Sequence, residues 1–210
     1  YRCPYAKEYP SCDLYCADQF EAMFRSKETW LNNPKGGICN VAAMMIEPFQ
    51  SSAGYIMAPL PYLARMKEIS DKYDYLLISD EGQNGLGRTG KMWAIEHAGV
   101  APDLLTMAKS ISNGLPLAAV TGRKDVMDSW GPGAHSSTFT AYPLACAGGL
   151  KVFEIFKRDH ILEQAADKGA YFLNGLEELA KRHPIIGHIN GLGLYLSVEF
   201  VMDRTTKEPA

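Results

Sequence analysis

Four short apolar runs, Val41–Ile46, Tyr75–Ser79, Leu104–Ala108 and Leu115–Thr121, lack the polar alternation of a strand with one face in water. Unbroken apolar strands are covered on both faces, the habit of parallel sheets flanked by helices. Helical spacing lies between and around them. Leu63, Met66, Ile69 and Tyr73 place one stripe on a helix over Pro59–Tyr73, whose prolines fall in the tolerant first turn. Further helices are predicted near Cys16–Ser26 and over Lys124–Trp130, with a breaker run at Asn32–Gly37. Strands interleaved with helices predict an α/β fold, a mainly parallel sheet sandwiched by helices.

The patterning changes further on. Helices are predicted over Pro143–Lys157 and Ile161–Arg182, the second with Leu162, Ala165, Gly169, Phe172, Leu173, Leu176, Leu179 and Ala180 on one stripe. Leu194, Leu196, Val198 and Phe200 then alternate with Tyr195, Ser197 and Glu199, the mark of a strand with one wet face. The change predicts two units. Residues 1–159 belong to a large domain, and 160–210 begin a smaller α+β domain. The chain lacks an initiator methionine and Asp203–Ala210 reads as a turn leading onward, so a partial subunit is expected.

Composition narrows the function classes. Lys plus Arg number 21 against 24 Asp plus Glu, a net charge of −3, which offers no basic footprint for nucleic acid or an anionic membrane. Hydrophobic residues at 47% and charged residues at 21% describe a folded globular chain. No apolar run approaches the roughly 18 residues of a membrane span. Five cysteines, an odd count without secretory context, predict reduced thiols and a cytoplasmic setting. Cys3, Cys12 and Cys16 lack the paired spacing of a zinc site, and no metal is expected.

In parallel sheets, ligands bind outside the carboxyl ends of the strands. Three of these strands run into charged residues there: Ile46 into Glu47, Ser79 into Asp80-Glu81, and Ala108 into Lys109. Acids and a lysine at one sheet edge make a candidate site, because a lysine against buried walls is biased toward its nucleophilic form. Gly85–Lys91 also fits a phosphate-binding G-x4-G-K, but Met92 replaces the Ser/Thr needed for Mg²⁺ and the loop does not leave a strand directly. Nucleotide hydrolysis is not expected.

The run Ser79-Asp80-Glu81-Gly82-Gln83-Asn84-Gly85-Leu86-Gly87-Arg88-Thr89-Gly90-Lys91 resembles the D-E-x-Q-x-G-x-G-R-T-G segment of class III aminotransferases, pyridoxal-phosphate enzymes of fold type I. The resemblance continues in Glu47–Gln50, Pro102–Lys109, Gly114–Leu117, His135–Phe139 and Gly191–Gly193. It implies that Lys109 forms the internal aldimine and that Asp80 pairs with the pyridine nitrogen. Gln83 would lie near the phenolic oxygen. Thr138 would reach the cofactor phosphate of a neighbouring subunit, hence at least a homodimer. The phosphate loop and the ring-stacking aromatic are expected before Tyr1, and the carboxylate-binding arginine after Ala210.

The implied reaction moves an amino group between an amino acid or amine and a 2-oxo acid. Gly82 replaces the aliphatic residue expected over one ring face, Tyr142 stands where the family often has asparagine, and Ser51-Ser52-Ala53-Gly54 replaces a common G-E-G-G run. Ser52 is therefore a substrate-binding candidate, favouring α-amino acids over 4-aminobutyrate. The Ser-Ser pair resembles dialkylglycine decarboxylase, and the tail from His183 resembles amino-acid racemases, so both reactions stand as alternatives. A silent scaffold subunit is the non-enzymatic alternative, disfavoured by the intact Lys109, Asp80 and Gln83.

Overall fold

The computed structural model describes residues 2–26, 29–33 and 38–210; positions 34–37 of the expected breaker run lie outside them. The first three apolar runs form β1 (Ala43–Ile46), β2 (Leu76–Asp80) and β3 (Leu104–Met107), adjacent and parallel in that order. The fourth, β4 (Ala119–Gly122), pairs antiparallel with β3 at the edge. It begins later than Leu115, since Pro116 has no N–H to give a ladder. The sheet is mixed and mainly parallel.

Helix α1 (Tyr15–Arg25) and helix α2 (Leu60–Tyr73) cover one part of this sheet. Met66 and Ile69 of α2 pack with Ala17, Phe24 and Tyr75 in one buried cluster, where Phe24 and Tyr75 stack at 5.3 Å between ring centres. The left-handed Asp74 stops α2, its N–H returning to the Ser70 carbonyl, and the chain enters β2 at once. A second cluster joins Leu105, Met107, Leu86 and Ile111, with Trp93 and Phe156 against it. Helices α3 (Lys124–Met127), α4 (Pro143–Arg158) and α5 (Ile161–Arg182) follow as expected, α3 shorter than its predicted span.

After α5 the chain builds a separate antiparallel sheet from β5 (Ile186–Leu192), β6 (Tyr195–Asp203) and β7 (Glu208–Pro209). β6 is half-buried through its middle, and its two buried residues lie on the face opposite to the expected one. Tyr195 and Val201 are buried, while Phe200 is 53% and Met202 73% exposed. Tyr195 wins the interior because its ring packs against Phe49 and Tyr55 and its hydroxyl donates to Ser51 Oγ at 2.8 Å.

Glycines hold this hairpin against the rest. A Cβ on Gly169 of α5 would sit 2.1 Å from the Gly193 carbonyl oxygen, and one on Gly193 (φ 55) would lie 2.4 Å from the Thr89 carbonyl carbon. Among the described residues no helix is long and apolar enough to cross a membrane.

Candidate active site

β2 and β3 run side by side, with Asp80 facing Thr106 across the ladder, so their carboxyl ends open together. Asp80 closes β2. Lys109 follows β3 by two residues and opens a short 3-10 turn, Lys109–Ile111, with a left-handed φ of 50°. A long side chain rarely occupies that region, and such backbone outliers concentrate at functional sites.

Gly82 shows how closely the groups converge. A Cβ at that position would lie 3.1 Å from Asp80 Oδ1 and 3.8 Å from Lys109 Nζ. The carboxylate and the amine therefore border one small volume. Asp80 Oδ1 accepts hydrogen bonds from the Gly82 amide and from Thr106 Oγ1, each at 3.0 Å. A cavity of about 890 Å³ opens beside them, walled in part by Tyr55, Gln83, Arg88, Lys109 and Tyr195. Gln83 Nε2 donates to the Tyr55 hydroxyl at 3.3 Å. Asp80 is not part of that wall and adjoins it through Gly82 and Lys109.

The other strand-end acids do not join this group, which corrects the expected convergence. Glu81, one residue past Asp80, is 1% exposed and turns into the interior. Its Oε2 accepts from the Ala94 amide and its Oε1 from the Ile95 amide, both at 2.9 Å, with Ser79 Oγ at 3.2 Å. Burial pushes the Glu81 carboxyl above its ordinary value against the pull of those donors. Glu47 is used locally, its Oε2 receiving the Ser51 amide at 2.6 Å.

Ser52 is exposed on the turn after Gln50; the buried hydroxyl is that of Ser51, which receives Tyr195. Thr138 lies in the exposed stretch 131–142 and is not part of the cavity wall. Among the described residues no group of three or more His, Cys, Asp or Glu is placed to hold a metal ion. The residue-level reading passed over Tyr55, Tyr195 and Thr106. Tyr195 carried a signal, a large amphipathic ring at a position the alternation assigned to water.

The aminotransferase class-III family model matches residues 6–210. The leucine/methionine racemase of Thermococcus litoralis is 40% identical over 210 residues, all of this chain and 46% of that protein. The 4-aminobutyrate aminotransferase GabT of Escherichia coli is 41% identical over 170 residues, 81% of this chain and 40% of that protein. The chain thus spans less than half the length of these curated relatives. Among solved structures, an amine transaminase from an uncultivated Pseudomonas species, in its PLP-bound internal aldimine form, superposes with a TM-score of 0.88 at 32% identity. That match covers 100% of this chain and 47% of the other. A Bacillus anthracis aminotransferase gives 0.83 at 34% identity, covering 94% and 44%. With a family match across nearly its whole length, and with relatives of this identity, the chain belongs to the class-III aminotransferases.

Proposed function

We propose that this chain carries the lysine-bearing part of a pyridoxal-phosphate-dependent aminotransferase site, acting on an amino donor and a 2-oxo acid. The observation that carries the reading is the convergence of Lys109 Nζ and Asp80 Oδ1 on the space beside Gly82, next to a cavity of about 890 Å³. That volume falls within the range of cofactor pockets. An amine for covalent attachment and a carboxylate steadied by two neutral donors suit the aldehyde and the ring nitrogen of this cofactor.

Bound there, pyridoxal phosphate supplies an electron sink for charge developing at the substrate Cα. Asp80 would hold a proton on the ring nitrogen, since a facing anion favours the charged form. The free amine of Lys109 would accept a proton from the substrate Cα and give it up again, the general acid-base role of this residue. Gln83, tethered by Tyr55, would orient the phenolic oxygen. Thr138 would serve the phosphate site of a second subunit in a homodimer, and the Ser52 hydroxyl would donate to the substrate carboxylate. Residues 1–159 form part of the large cofactor-binding domain, 160–210 begin the small one, and the enzyme works in the cytoplasm.

Racemisation is the second reading, favoured by the match of this whole chain to 46% of a leucine/methionine racemase. Racemisation would use the same lysine and carboxylate to remove the Cα proton, with the return to the opposite face supplied by a proton donor on that face. Reduction of the loaded protein with borohydride, followed by peptide mapping, tests the shared part: the adduct belongs on Lys109, and an adduct on Lys91 or Lys124 instead refutes it. Incubation with single enantiomers then separates ketone formation from loss of optical purity.

A further inference from the structure

We infer that Thr106 is the positioning residue for Asp80, a role that rests on the proposed pairing of Asp80 with the cofactor's ring nitrogen. Asp80 and Thr106 are ladder partners on β2 and β3. Thr106 holds this strand end twice: its carbonyl accepts the Glu81 amide at 3.0 Å, and its hydroxyl donates to Asp80 Oδ1 at 3.0 Å. The Gly82 amide reaches the same oxygen, also at 3.0 Å.

Both donors are neutral and both engage Oδ1, which leaves Oδ2 as the oxygen to present to a cationic N–H. Selection matters because the terminal torsion of an aspartate is soft and nearly two-fold, so an untethered carboxylate samples a wide arc. The threonine side chain is the stiffer partner, since branching at Cβ restricts its χ1. Neutral donors have a further advantage. A lysine or arginine on Oδ1 would neutralise the carboxylate and weaken its hold on a ring proton, whereas a hydroxyl and an amide orient it and leave its charge in place. Gly82 contributes by lacking a side chain, for a Cβ there would crowd Oδ1 at 3.1 Å.

The test uses the cofactor-loaded protein and its Thr106→Val, Thr106→Ser and Asp80→Asn variants. Four quantities are read: the pH midpoint of the cofactor's visible band, kcat and KM for the amino donor, and the thermal midpoint. Valine keeps the shape and removes the hydroxyl. A carboxylate free to swing holds the ring proton less well, the ring withdraws fewer electrons, and the lysine-linked nitrogen keeps its own proton to higher pH. Thr106→Val is therefore expected to move the visible-band midpoint upward. It also lowers kcat by about 10- to 100-fold, the order that misplacement by about 1 Å produces, with KM nearly unchanged. Thr106→Ser restores both. A Thr106→Val protein that melts early but keeps its spectral midpoint and kcat reduces Thr106 to a structural hydroxyl and overturns the inference. Asp80→Asn separates the layers. If it abolishes the spectral response while Thr106→Val is silent, only the positioning role falls; if Asp80→Asn is itself silent, the reading of Asp80 falls and the inference with it.

Discussion

Replacing Glu81 with glutamine exchanges one carboxylate oxygen for an NH2 group in a place where three donors already point inward. The Ala94 and Ile95 amides each occupy one oxygen at 2.9 Å, and Ser79 Oγ shares Oε1. Whichever way the amide is turned, its NH2 opposes one backbone N–H. Ala94 is 0% and Ile95 1% exposed, so water has no ready access to the orphan. One buried unsatisfied donor costs about 1–3 kcal/mol, and Glu81→Ala, which strands both, about twice that. In a chain of this size each kcal/mol lowers Tm by roughly 2–4 °C. Glu81→Gln is therefore expected to melt several degrees early and Glu81→Ala further still, by thermal unfolding followed with circular dichroism. pH adds an independent check. Burial sets the folded carboxyl above its ordinary 4.5, so the folded chain binds the proton more tightly than the unfolded one. The stability this group adds is complete below 4.5 and is lost as pH rises through the folded value, and Glu81→Gln removes that decline. Wild-type melting of both variants, or a loss of kcat at unchanged Tm in Glu81→Gln, would refute the structural assignment and return Glu81 to the site.

Three further outcomes are expected. Burial alone would push Asp103 up, but the Leu77 amide, Arg123 and Lys67 outweigh it and hold its carboxyl below 3.8. Its stabilisation is full above 3.8 and is lost as pH falls through the depressed folded value; Asp103→Asn should flatten that acid limb of a Tm-against-pH curve. Hybrid dimers formed from Lys109→Ala and Thr138→Val subunits should regain activity, since one site then combines an intact lysine with an intact neighbouring threonine; inactive hybrids would place Thr138 in its own subunit's site, and a fully active Thr138→Val homodimer would place it in none. Alanine and 2-aminoisobutyrate should exceed 4-aminobutyrate in kcat/KM, and Ser52→Ala should erode that preference by about 10- to 100-fold, the value of a hydrogen bond to a charged group; an unchanged preference removes Ser52 from the substrate side.

The strands and long helices were legible because their signals are local. An unbroken apolar run such as Tyr75–Ser79 has few alternatives to a buried strand, and α5 ends where its apolar stripe ends. β5 escaped notice because Ile186–Leu192 contains two glycines and an asparagine, residues that strands usually avoid. Period two predicted the alternation of β6 but carries no information on which face turns inward, and the partners that decided it, Phe49, Ser51 and Tyr55, lie far away in sequence. The same limit applies at the strand ends. Asp80 and Glu81 are consecutive acids, and neighbouring side chains in extended chain point opposite ways. Charge alone nominates both; the geometry sends one beside Lys109 and the other beneath Ala94.

The contact of Gly169 with Gly193, and of Gly193 with Thr89, has a mechanical consequence. Most packed elements meet through side chains, whose rotamers give a joint some slack. Here three backbones lie directly on one another, and the loop they clamp leads within a few residues to Gln83 and Arg88 at the cavity wall. At this joint α5 meets backbone rather than an adjustable side chain. A methyl group added at Gly169 or Gly193 would have to part those backbones, and the Thr89 segment it presses on runs directly into Arg88 of the cavity wall.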